Sequence, residues 1–484
     1  MRIHRTAWVV YVAASVTALA GCNAIVGIDG FSVNDGSPPD DGPPDTPLCI
    51  ERCDGDGTLV ACNGGTEEPR TCAVGCSATP APHCKEMVPS NGATKDDLAG
   101  VATVAPLVFD AGRKYELYTD TGRILDVTVG RDVGNAVEIR PAQDGLAGKA
   151  FYRKVDGTIG VLAVSALTIG PGARVNGFGD RALIILAQGE ALIQGEIDFS
   201  GGCYVGDTFT TVCGGPGGGK GATPRVAVAT GCGPGKDGDG SPGGAGDEAG
   251  GGGGGFGTAG AAGGNGTDDV NKGGMGGPAC DRPTLVPLIG GSGGGAGGAG
   301  GAGDADGGRG GGGGGAIQIT SLTSIAFRAS ELSTNPPTIY VGGAGGSAPT
   351  AAEQGGGGGG AGGGILLEAP VITIDAKAVL SANGAGGGNG VIARDNVGTT
   401  RENGDYGSRN ADRARGGSSG GIGGNGGDGS ARGSLPVSGS GDVDGGGGGG
   451  GAVGFIRINI NAAPQIDPQA MITPQHTSGS LVTQ

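Results

Sequence analysis

Hydrophobic and polar residues alternate along several segments of this chain. In residues 182–202 the odd positions from Leu183 to Phe199 are apolar apart from two glycines, and from Gln188 onward most even positions are polar. Residues 365–387 repeat the alternation, with apolar side chains on the even positions from Ile372 to Ala382. A period of two over more than ten residues is typical of a β-strand with one buried face. The alternation therefore predicts half-buried strands in both segments.

The same order of elements recurs along the chain: a strand, a bend of small residues, a second strand and then glycines. Copies lie at 182–202, 316–346 and 365–387, with a looser copy at 161–179 and a partial one at 452–460. Tandem strands of this kind suit an all-β fold with a solenoid-like body, a parallel β-helix in which each coil stacks on the previous one. A β-sandwich with disordered glycine-rich loops is the alternative, although most bends lack the Asn-Gly signal of tight hairpins.

Glycine-rich excursions separate the repeats at about residues 201–315, 343–364 and 384–451. Glycine contributes 118 and proline 27 of the 484 residues, and aromatic residues are 4 %. Such stretches are either flexible coil or extended threefold polyglycine helices that lie side by side and bond to each other. The junction at 355–365, where glycines run directly into a strand, favours the packed form, because a mobile loop would fix the register of that strand weakly.

The N-terminus carries an export signal, with Arg2 and Arg5 followed by an apolar run too short for a comfortable membrane span. The run ends in Leu-Ala-Gly-Cys at Cys22, which resembles the bacterial lipobox. By that resemblance residues 1–21 are a lipoprotein signal peptide, and Cys22 carries the lipid (palmitate) that anchors the chain to the membrane. An ordinary signal peptide with a chance cysteine is the alternative. Asn23 is not the aspartate that retains lipoproteins at the inner membrane, so we expect delivery to the outer membrane or cell surface of a Gram-negative bacterium.

Cysteine usage agrees with export to an oxidising compartment. Setting Cys22 aside leaves ten of the 11 cysteines, an even number. Their spacing is not that of paired zinc knuckles, and His83 is the only histidine near the cysteine-rich segment. We therefore expect disulfides, although the pairing cannot be deduced from the sequence. The disulfide candidates are Cys49, Cys53, Cys62, Cys72, Cys76, Cys84, Cys203, Cys213, Cys232 and Cys280.

These signals divide the chain into segments. A lipid anchor and acidic, proline- and glycine-rich spacer at 22–47 precedes a disulfide-rich mini-domain at 48–86. The solenoid-like domain follows at 87–460, and residues 461–484 are a C-terminal tail. The net charge is −16, which argues against a nucleic-acid partner because such a face needs clustered lysine and arginine.

Catalytic motifs do not assemble from this sequence. Cleavage would remove His4, and His83 and His476 lie far apart, so no catalytic triad or histidine-based metal site is predicted. The glycine-rich sequence at 214–221 fails as a phosphate-binding loop because Gly221 replaces the required serine or threonine. We therefore predict no enzyme, no catalytic residues and no cofactor.

Calcium is the one ligand with a partial motif. Residues 263–271 fit the nonapeptide of calcium-binding β-rolls, with Asp268 as the ligand, and residues 423–431 fit it as far as Asp428. Those rolls share each ion between tandem turns, whereas these two matches are solitary. Asp268 and Asp428 are thus calcium candidates without the repeated context that the site requires.

Several motifs together resemble a known group of proteins. The lipobox is followed by "NAIVGIDGF", an acidic proline-rich spacer and a cysteine module containing "TCAVGC". "MVPSNG" at 87–92, "PLIGGSGGG" at 287–295 and a repeat ending in "SANGAGGG" complete the order. In this order the chain resembles the uncharacterised glycine-rich surface lipoproteins of myxobacteria. The resemblance implies an anchored surface protein and carries no activity with it.

Two functions remain open. The first is a non-catalytic, lipid-anchored envelope protein with a structural, adhesive or matrix-contact role. Its partners would be the membrane, through the lipid on Cys22, and envelope or extracellular polysaccharide or surface proteins. The second is a polysaccharide-binding or polysaccharide-processing β-helix, a lyase or hydrolase if it cleaves. This second function would require acidic and basic residues, such as Asp198, Asp375 and Arg457, to align on neighbouring coils. Further candidates for that outer face are Glu190, Glu196, Lys377 and Arg328.

Overall fold

A computed structural model describes residues 49–131, 134–205, 208–240, 248–266, 271–300, 306–350, 353–391, 400–420, 423–441 and 445–484. Residues Ile50–Gln484 form one compact unit. Strands dominate it, and the single helix of the described residues, α1, is the short segment Asp96–Ala99. The prediction of an all-β fold is confirmed.

Short strands form the N-terminal part of the unit. They are β1 (Arg52–Cys53), β2 (Thr58–Asn63), β3 (Thr66–Thr71), β4 (Cys76–Ser77), β5 (His83–Cys84) and β6 (Met87–Val88) before α1, and β7 (Leu107–Phe109), β8 (Lys114–Tyr118), β9 (Arg123–Asp126), β10 (Val137–Arg140), β11 (Gly145–Ala147) and β12 (Ala150–Val155) after it. Strands β1 to β3 form a sheet of their own, and β4 pairs with β5.

The following strands come in triplets, meaning sets of three strands in which each contributes to a different sheet. The first triplet is β13 (Ile159–Val164), β14 (Leu167–Ile169) and β15 (Arg174–Phe178), and the second is β16 (Ala182–Ala187), β17 (Ala191–Ile193) and β18 (Glu196–Asp198). After the hairpin β19 (Cys203–Val205) and β20 (Thr208–Thr210), the third is β21 (Ala316–Ser321), β22 (Ser324–Phe327) and β23 (Thr338–Tyr340), and the fourth is β24 (Gly364–Glu368), β25 (Val371–Ile374) and β26 (Val379–Ser381). The fifth is β27 (Phe455–Asn459), β28 (Gln465–Ile466) and β29 (Met471–Thr473), and β30 (Thr477–Gly479) and β31 (Val482–Thr483) follow it.

Equivalent strands of successive triplets pair in parallel. The first sheet has the order β11-β12-β13-β16-β21-β24-β27-β30, the second β28-β25-β22-β17-β14-β7, and the third β10-β9-β8-β15-β18-β23-β26-β29. Antiparallel pairs occur at one end, where β11 to β13 and β8 to β10 form hairpins. The register is continuous between the parallel strands, so that their side chains form columns. One column of the first sheet reads Val161, Ile184, Gln318, Leu366 and Arg457.

Residues 461–484, expected to be a tail, belong to this framework. They contain β28 to β31, and β28, β29 and β30 extend the three sheets. The last strand, β31, pairs antiparallel with β6, and the N–H of Gln484 donates to the carbonyl of Glu86. The C-terminus thus returns to the segment that precedes the first triplet.

The hydrophobic core is formed by the side chains on one face of each of the three sheets. In the second triplet, Ile185, Ile193 and Ile197 belong to the same buried cluster. The opposite face of the first sheet is also buried. Its residues Ile184 and Leu186 pack in a second cluster with residues of the first glycine-rich excursion, such as Leu285. A strand covered on both faces needs a continuous apolar run, which explains why the alternation is lost in "ALIILA".

The described glycine segments are packed against each other and not extended into solvent. In residues 249–254 successive N–H groups donate in turn to three neighbouring segments, with a repeat of three residues. The acceptors lie in 236–239, 261–264 and 356–359, and the carbonyls of the same residues accept from 274–277, 295–298 and 449–452. Six neighbours at this distance leave no space for a side chain: a Cβ at Gly253 would overlap the carbonyl oxygen of Gly450.

Disulfide bonds link cysteines within both cysteine-rich regions. The N-terminal region contains Cys53–Cys76 and Cys72–Cys84, and Cys49 and Cys62 are also disulfide-bonded. In the glycine-rich excursion Cys203 is bonded to Cys213, and Cys232 to Cys280. All ten expected cysteines are therefore bonded, whereas Cys22 lies outside the described residues.

Candidate functional site

The outer face of the third sheet carries a row of polar side chains. Alternation along each strand turns Tyr115, Val175 and Ile197 into the core, so their neighbours point away from it. The register then brings the outward residues into one column, which reads Glu116, Asn176, Asp198, Tyr340 and Ser381. Charged and aromatic groups are therefore concentrated on a single surface.

A groove with a volume of about 620 Å³ runs over this column. Its walls come from the third sheet, from the segment after β9, from residues 200–202 and from the excursion that follows β26. The lining residues are Lys114, Glu116, Val127, Gly130, Arg131, Arg174, Asn176, Gly177, Phe178, Asp198, Ser200, Gly201, Gly202, Tyr340, Tyr406 and Arg409.

Asp198 is the centre of a hydrogen-bonded cluster on the groove floor. Its carboxylate accepts from the Ser200 hydroxyl at 2.6 Å and from Arg409 Nη2 at 3.1 Å, and it also forms an ion pair with Arg174. Arg409 donates to Glu196 as well, at 2.5 Å. Burial opposes the charge of Arg174, but the adjacent carboxylates of Asp198 and Glu196 outweigh it, and the pKa of Arg174 is raised. Two guanidinium groups and two carboxylates thus form one charge-balanced unit.

Arg409 is oriented further by an aromatic ring beneath it. Its guanidinium carbon lies 4.2 Å from the ring centroid of Tyr340, within cation–π range. Tyr340 is buried and donates its hydroxyl proton to the carbonyl of Gly407, two residues before Arg409. Burial also raises the pKa of Tyr340, so the phenol stays neutral. Tyr340 therefore fixes both the side chain and the backbone that present Arg409 to the groove.

Glu116 forms a second charged unit at the other side of the groove. It pairs with Arg131 and accepts the hydroxyl proton of Tyr118 at 2.7 Å. Burial, followed by this bond to a carboxylate, raises the pKa of Tyr118 to about 12. The guanidinium of Arg131 lies 5.4 Å from the centroid of Phe178. The guanidinium of Arg131 and the ring of Phe178 are thus held side by side.

A second groove, with a volume of about 740 Å³, continues from the first. The two grooves share Glu116, Arg131 and Phe178, and the second extends past Tyr118 and Arg123. Together they form an elongated depression on the outer face of the third sheet. Such a shape accommodates a segment of a polymer more readily than a compact small molecule.

The alignment required for a polysaccharide-processing site is not present. Asp198 lies in the third sheet, Asp375 follows β25 of the second sheet, and Arg457 belongs to β27 of the first. Among the other outer-face candidates, Glu196 joins the Asp198 cluster. Glu190, Arg328 and Lys377 lie at bends that flank strands of the second sheet. The structure therefore brings two of the seven candidates together.

Metal and histidine sites are not assembled in the described part of the chain. No group of three or more potential ligand side chains is close enough there to hold a metal ion. Asp428 accepts a bond from the N–H of Gly416 at 2.9 Å and so connects two glycine segments, whereas Asp268 lies outside the described residues. His83 is in β5 and His476 precedes β30, where burial lowers its pKa.

Sequence reasoning missed Arg174, Tyr340 and Arg409. The repeat register could have placed Arg174 and Tyr340 beside Asp198, because Arg174 aligns with Glu196 and Tyr340 with Asp198. No local signal pointed to Arg409, which lies in a glycine-rich excursion and is 211 residues from Asp198 along the chain. The path of that excursion brings it to the groove.

No helix in the ranges that the structure describes has the length and apolar character needed to cross a membrane. Comparison of the chain with known protein families, with curated proteins and with solved structures finds no match. The resemblance to glycine-rich surface lipoproteins thus stays a prediction from the motifs.

Proposed function

We propose that this chain is a non-catalytic, lipid-anchored protein of the cell envelope with a structural, adhesive or matrix-contact role. The observation that carries the proposal is the packing of the glycine segments, in which backbone groups and not side chains make the contacts. In such packing many residues serve to form a rigid framework, and few contribute side chains that could take part in a reaction. The acidic spacer at 22–47 would hold that body away from the membrane.

We also interpret the architecture as a parallel β-helix with packed polyglycine helices. The continuous parallel pairing of equivalent strands in successive triplets supports the β-helix, whereas a β-sandwich is built from antiparallel strands. The repeat of three residues in the hydrogen bonds of 249–254 supports threefold helices, since a three-residue turn points each successive N–H group at a different neighbour. A backbone fixed in this way suits a mechanical or scaffolding role.

Membrane anchoring is tested by expressing the full chain and its Cys22→Ser variant in a Gram-negative host. We expect the wild-type chain to incorporate labelled palmitate and to partition into the detergent phase, and the variant to do neither. Protease treatment of intact cells then tests surface exposure. Equal partitioning of the two forms would contradict the lipid anchor, and protection of the wild-type chain on intact cells would contradict display at the surface.

A second candidate function is polysaccharide binding, and the elongated groove on the third sheet favours it. Acidic, basic and aromatic side chains line this groove at fixed positions. The mature domain with Cys22→Ser, applied to a glycan array with calcium and again with chelator, tests this candidate. Reproducible binding to one class of polysaccharide supports it, and its loss with chelator would indicate a calcium requirement. Absence of binding in both conditions would leave the scaffold role alone.

A further inference from the structure

We propose that the groove over Asp198 binds a segment of an anionic polysaccharide, one that carries carboxylate or sulfate groups. This inference rests on the second candidate function, polysaccharide binding, and names its ligand class.

The arginines are accessible, whereas the carboxylates below them are not. The side chains of Arg174 and Arg409 are 43 % and 47 % exposed, against 7 % for Asp198 and 19 % for Glu196. A ligand in the groove therefore meets guanidinium groups first. The buried carboxylates hold those groups in place and are themselves less accessible to a ligand.

Both guanidinium groups have N–H donors that no protein atom of the described residues uses. Arg409 donates to its carboxylate partners through Nη2 alone, so its Nε and Nη1 donors remain. Arg174 donates through Nε and Nη2, which leaves Nη1. Each guanidinium has five N–H donors in a fixed plane, a geometry that matches the two oxygens of a carboxylate or sulfate. Because both groups converge on Asp198, one anionic group can bridge them.

The groove is locally cationic on an acidic protein. Four cations line it, Lys114, Arg131, Arg174 and Arg409, against the carboxylates of Glu116 and Asp198, and Glu196, which is bonded to Arg409, adds a third carboxylate. The groove thus has an excess of one positive charge, whereas the whole chain has a net charge of −16. Screening confines the influence of distant surface charges to about 8 Å at physiological ionic strength. An anionic group inside the groove therefore experiences mainly the groups that line it, among which the arginines are exposed and the carboxylates are largely buried.

The other features of the groove favour a sugar chain over a nucleic acid. Nucleic-acid binding takes its affinity from many phosphate contacts along a basic face, whereas the second groove adds more acidic than basic residues: Asp120, Glu138 and Asp180 against Arg123 and Lys220. An acidic polysaccharide also presents hydroxyl groups, and carboxylates such as Asp120 can accept hydrogen bonds from them.

The test measures binding of the mature domain (Cys22→Ser) by calorimetry to three polymers: polygalacturonate, dextran sulfate and uncharged dextran. We expect binding to a charged polymer that weakens with added salt, and none to dextran. Loss of one charged hydrogen-bonding group from the groove should weaken binding about tenfold or more. Arg409→Gln tests this without orphaning Asp198, which keeps Arg174 and Ser200 as partners. Lys114→Gln, an exposed lining residue, is the second variant.

Arg328→Gln is the matched control, because Arg328 is exposed and lies beyond β22 in a different sheet. It should bind as the unaltered domain does, and unchanged melting of every variant should establish that they are folded. Preference for polygalacturonate or for dextran sulfate separates carboxylate from sulfate as the anionic group. Binding unaffected by both groove variants would overturn the groove as the site. Equal binding to dextran would overturn the anionic class but keep polysaccharide binding, and no binding to any polymer or to the glycan array would remove both.

Discussion

At the scale of single residues, the absence of a side chain at glycine is what allows the backbone segments of this protein to pack closely. The N–H of Gly253 donates to Ala261 and its carbonyl accepts from Gly277, both at 2.8 Å. Its Cα faces the backbone at Gly450 so closely that a Cβ has no space. Glycine is entropically costly to order, and here the cost is offset by backbone hydrogen bonds that any larger residue would prevent.

Substitution of one packed glycine by alanine should therefore be strongly destabilising. We expect Gly253→Ala to lower the free energy of unfolding by about 2 kcal/mol or more, since overpacking against backbone forces the segment to move. The measurement is chemical denaturation followed by circular dichroism. Gly57→Ala is the control, because nothing lies within 4 Å of a Cβ there. Equal stability of the two variants would contradict the packed arrangement.

Buried phenols give this protein a sensitivity to alkaline pH. Burial raises the pKa of Tyr118 and of Tyr152 to about 12, and raises that of Tyr340. An unfolded tyrosine has a pKa of about 10. Because the folded pKa is raised, the neutral form stabilises the fold fully below pH about 10, and that contribution is lost as the pH rises toward the folded pKa.

The fold should therefore lose stability above pH about 10. Phenolate absorbance at 295 nm, recorded together with circular dichroism, should show these tyrosines ionising as the structure unfolds. Tyr340→Phe retains the ring under Arg409 and should reduce the alkaline sensitivity without abolishing it. Complete phenol ionisation near pH 10 with an unchanged dichroism spectrum would be the opposite result.

At the scale of elements, one short segment joins distant parts of the chain. The Asn91 amide donates to the carbonyl of Leu285 and to Gln318 Oε1, and its oxygen accepts from the N–H of Leu288, all at 2.9 Å. The adjacent Ser90 hydroxyl donates to Glu368 at 2.6 Å. The "MVPSNG" motif thus contacts the start of the "PLIGGSGGG" motif and the buried polar residues of the first sheet. These contacts explain why the two motifs are needed in the structure, which the sequence alone did not reveal.

Removal of the Asn91 side chain should weaken this junction. Its φ of 60° lies in the left-handed region that favours glycine and asparagine. Asn91→Ala loses three hydrogen bonds and strains the backbone, so we expect a loss of about 3 kcal/mol in unfolding free energy. Asn91→Gly removes the same bonds but accepts the backbone conformation, and the difference between the two variants isolates the strain. Thermal melting measures both, and a melting temperature unchanged in Asn91→Ala would contradict the role.

At the scale of the whole molecule, the glycine excursions and the three sheets support each other. Leu285, Leu288 and Phe256 of the first excursion cover the outer side of the first sheet, and glycines of all three excursions bond to one another. A central segment such as 249–254 depends on six neighbours, and these come from distant parts of the sequence. Cross-links that hold the first excursion together should therefore stabilise the fold more when they enclose a longer segment of chain.

The two disulfides of the excursion should differ in their contribution. Cys232–Cys280 spans 48 residues and Cys203–Cys213 spans 10. Loop entropy predicts a loss of about 4 kcal/mol for the longer link and about 3 kcal/mol for the shorter one. Paired cysteine-to-serine variants, Cys232→Ser/Cys280→Ser and Cys203→Ser/Cys213→Ser, compared by denaturation in the oxidised state, measure this order. A larger loss from the shorter link would contradict the entropic account.

The sequence by itself determined the local elements of this protein. Alternation in 182–202 and 365–387 predicted strands because a half-buried strand requires a period of two, and an even number of cysteines predicted that all ten would be bonded. The groove could be predicted only in part. Asp198 and Glu196 were candidates because they lie on the outward face of a strand, and that face follows from local periodicity.

The tertiary structure alone decided which of these elements meet. Arg409 reaches Asp198 and stacks on Tyr340 through the path of a glycine-rich excursion that has no local signal for its direction. Asp198 and Arg457 lie in the third and first sheets and Asp375 directly follows a strand of the second, because the bends between strands turn the chain. The neighbours of each glycine are equally non-local, since a residue without a side chain has no pattern that specifies its partner. Periodicity therefore assigned faces to strands, and only the packing of distant segments assigned contacts to those faces.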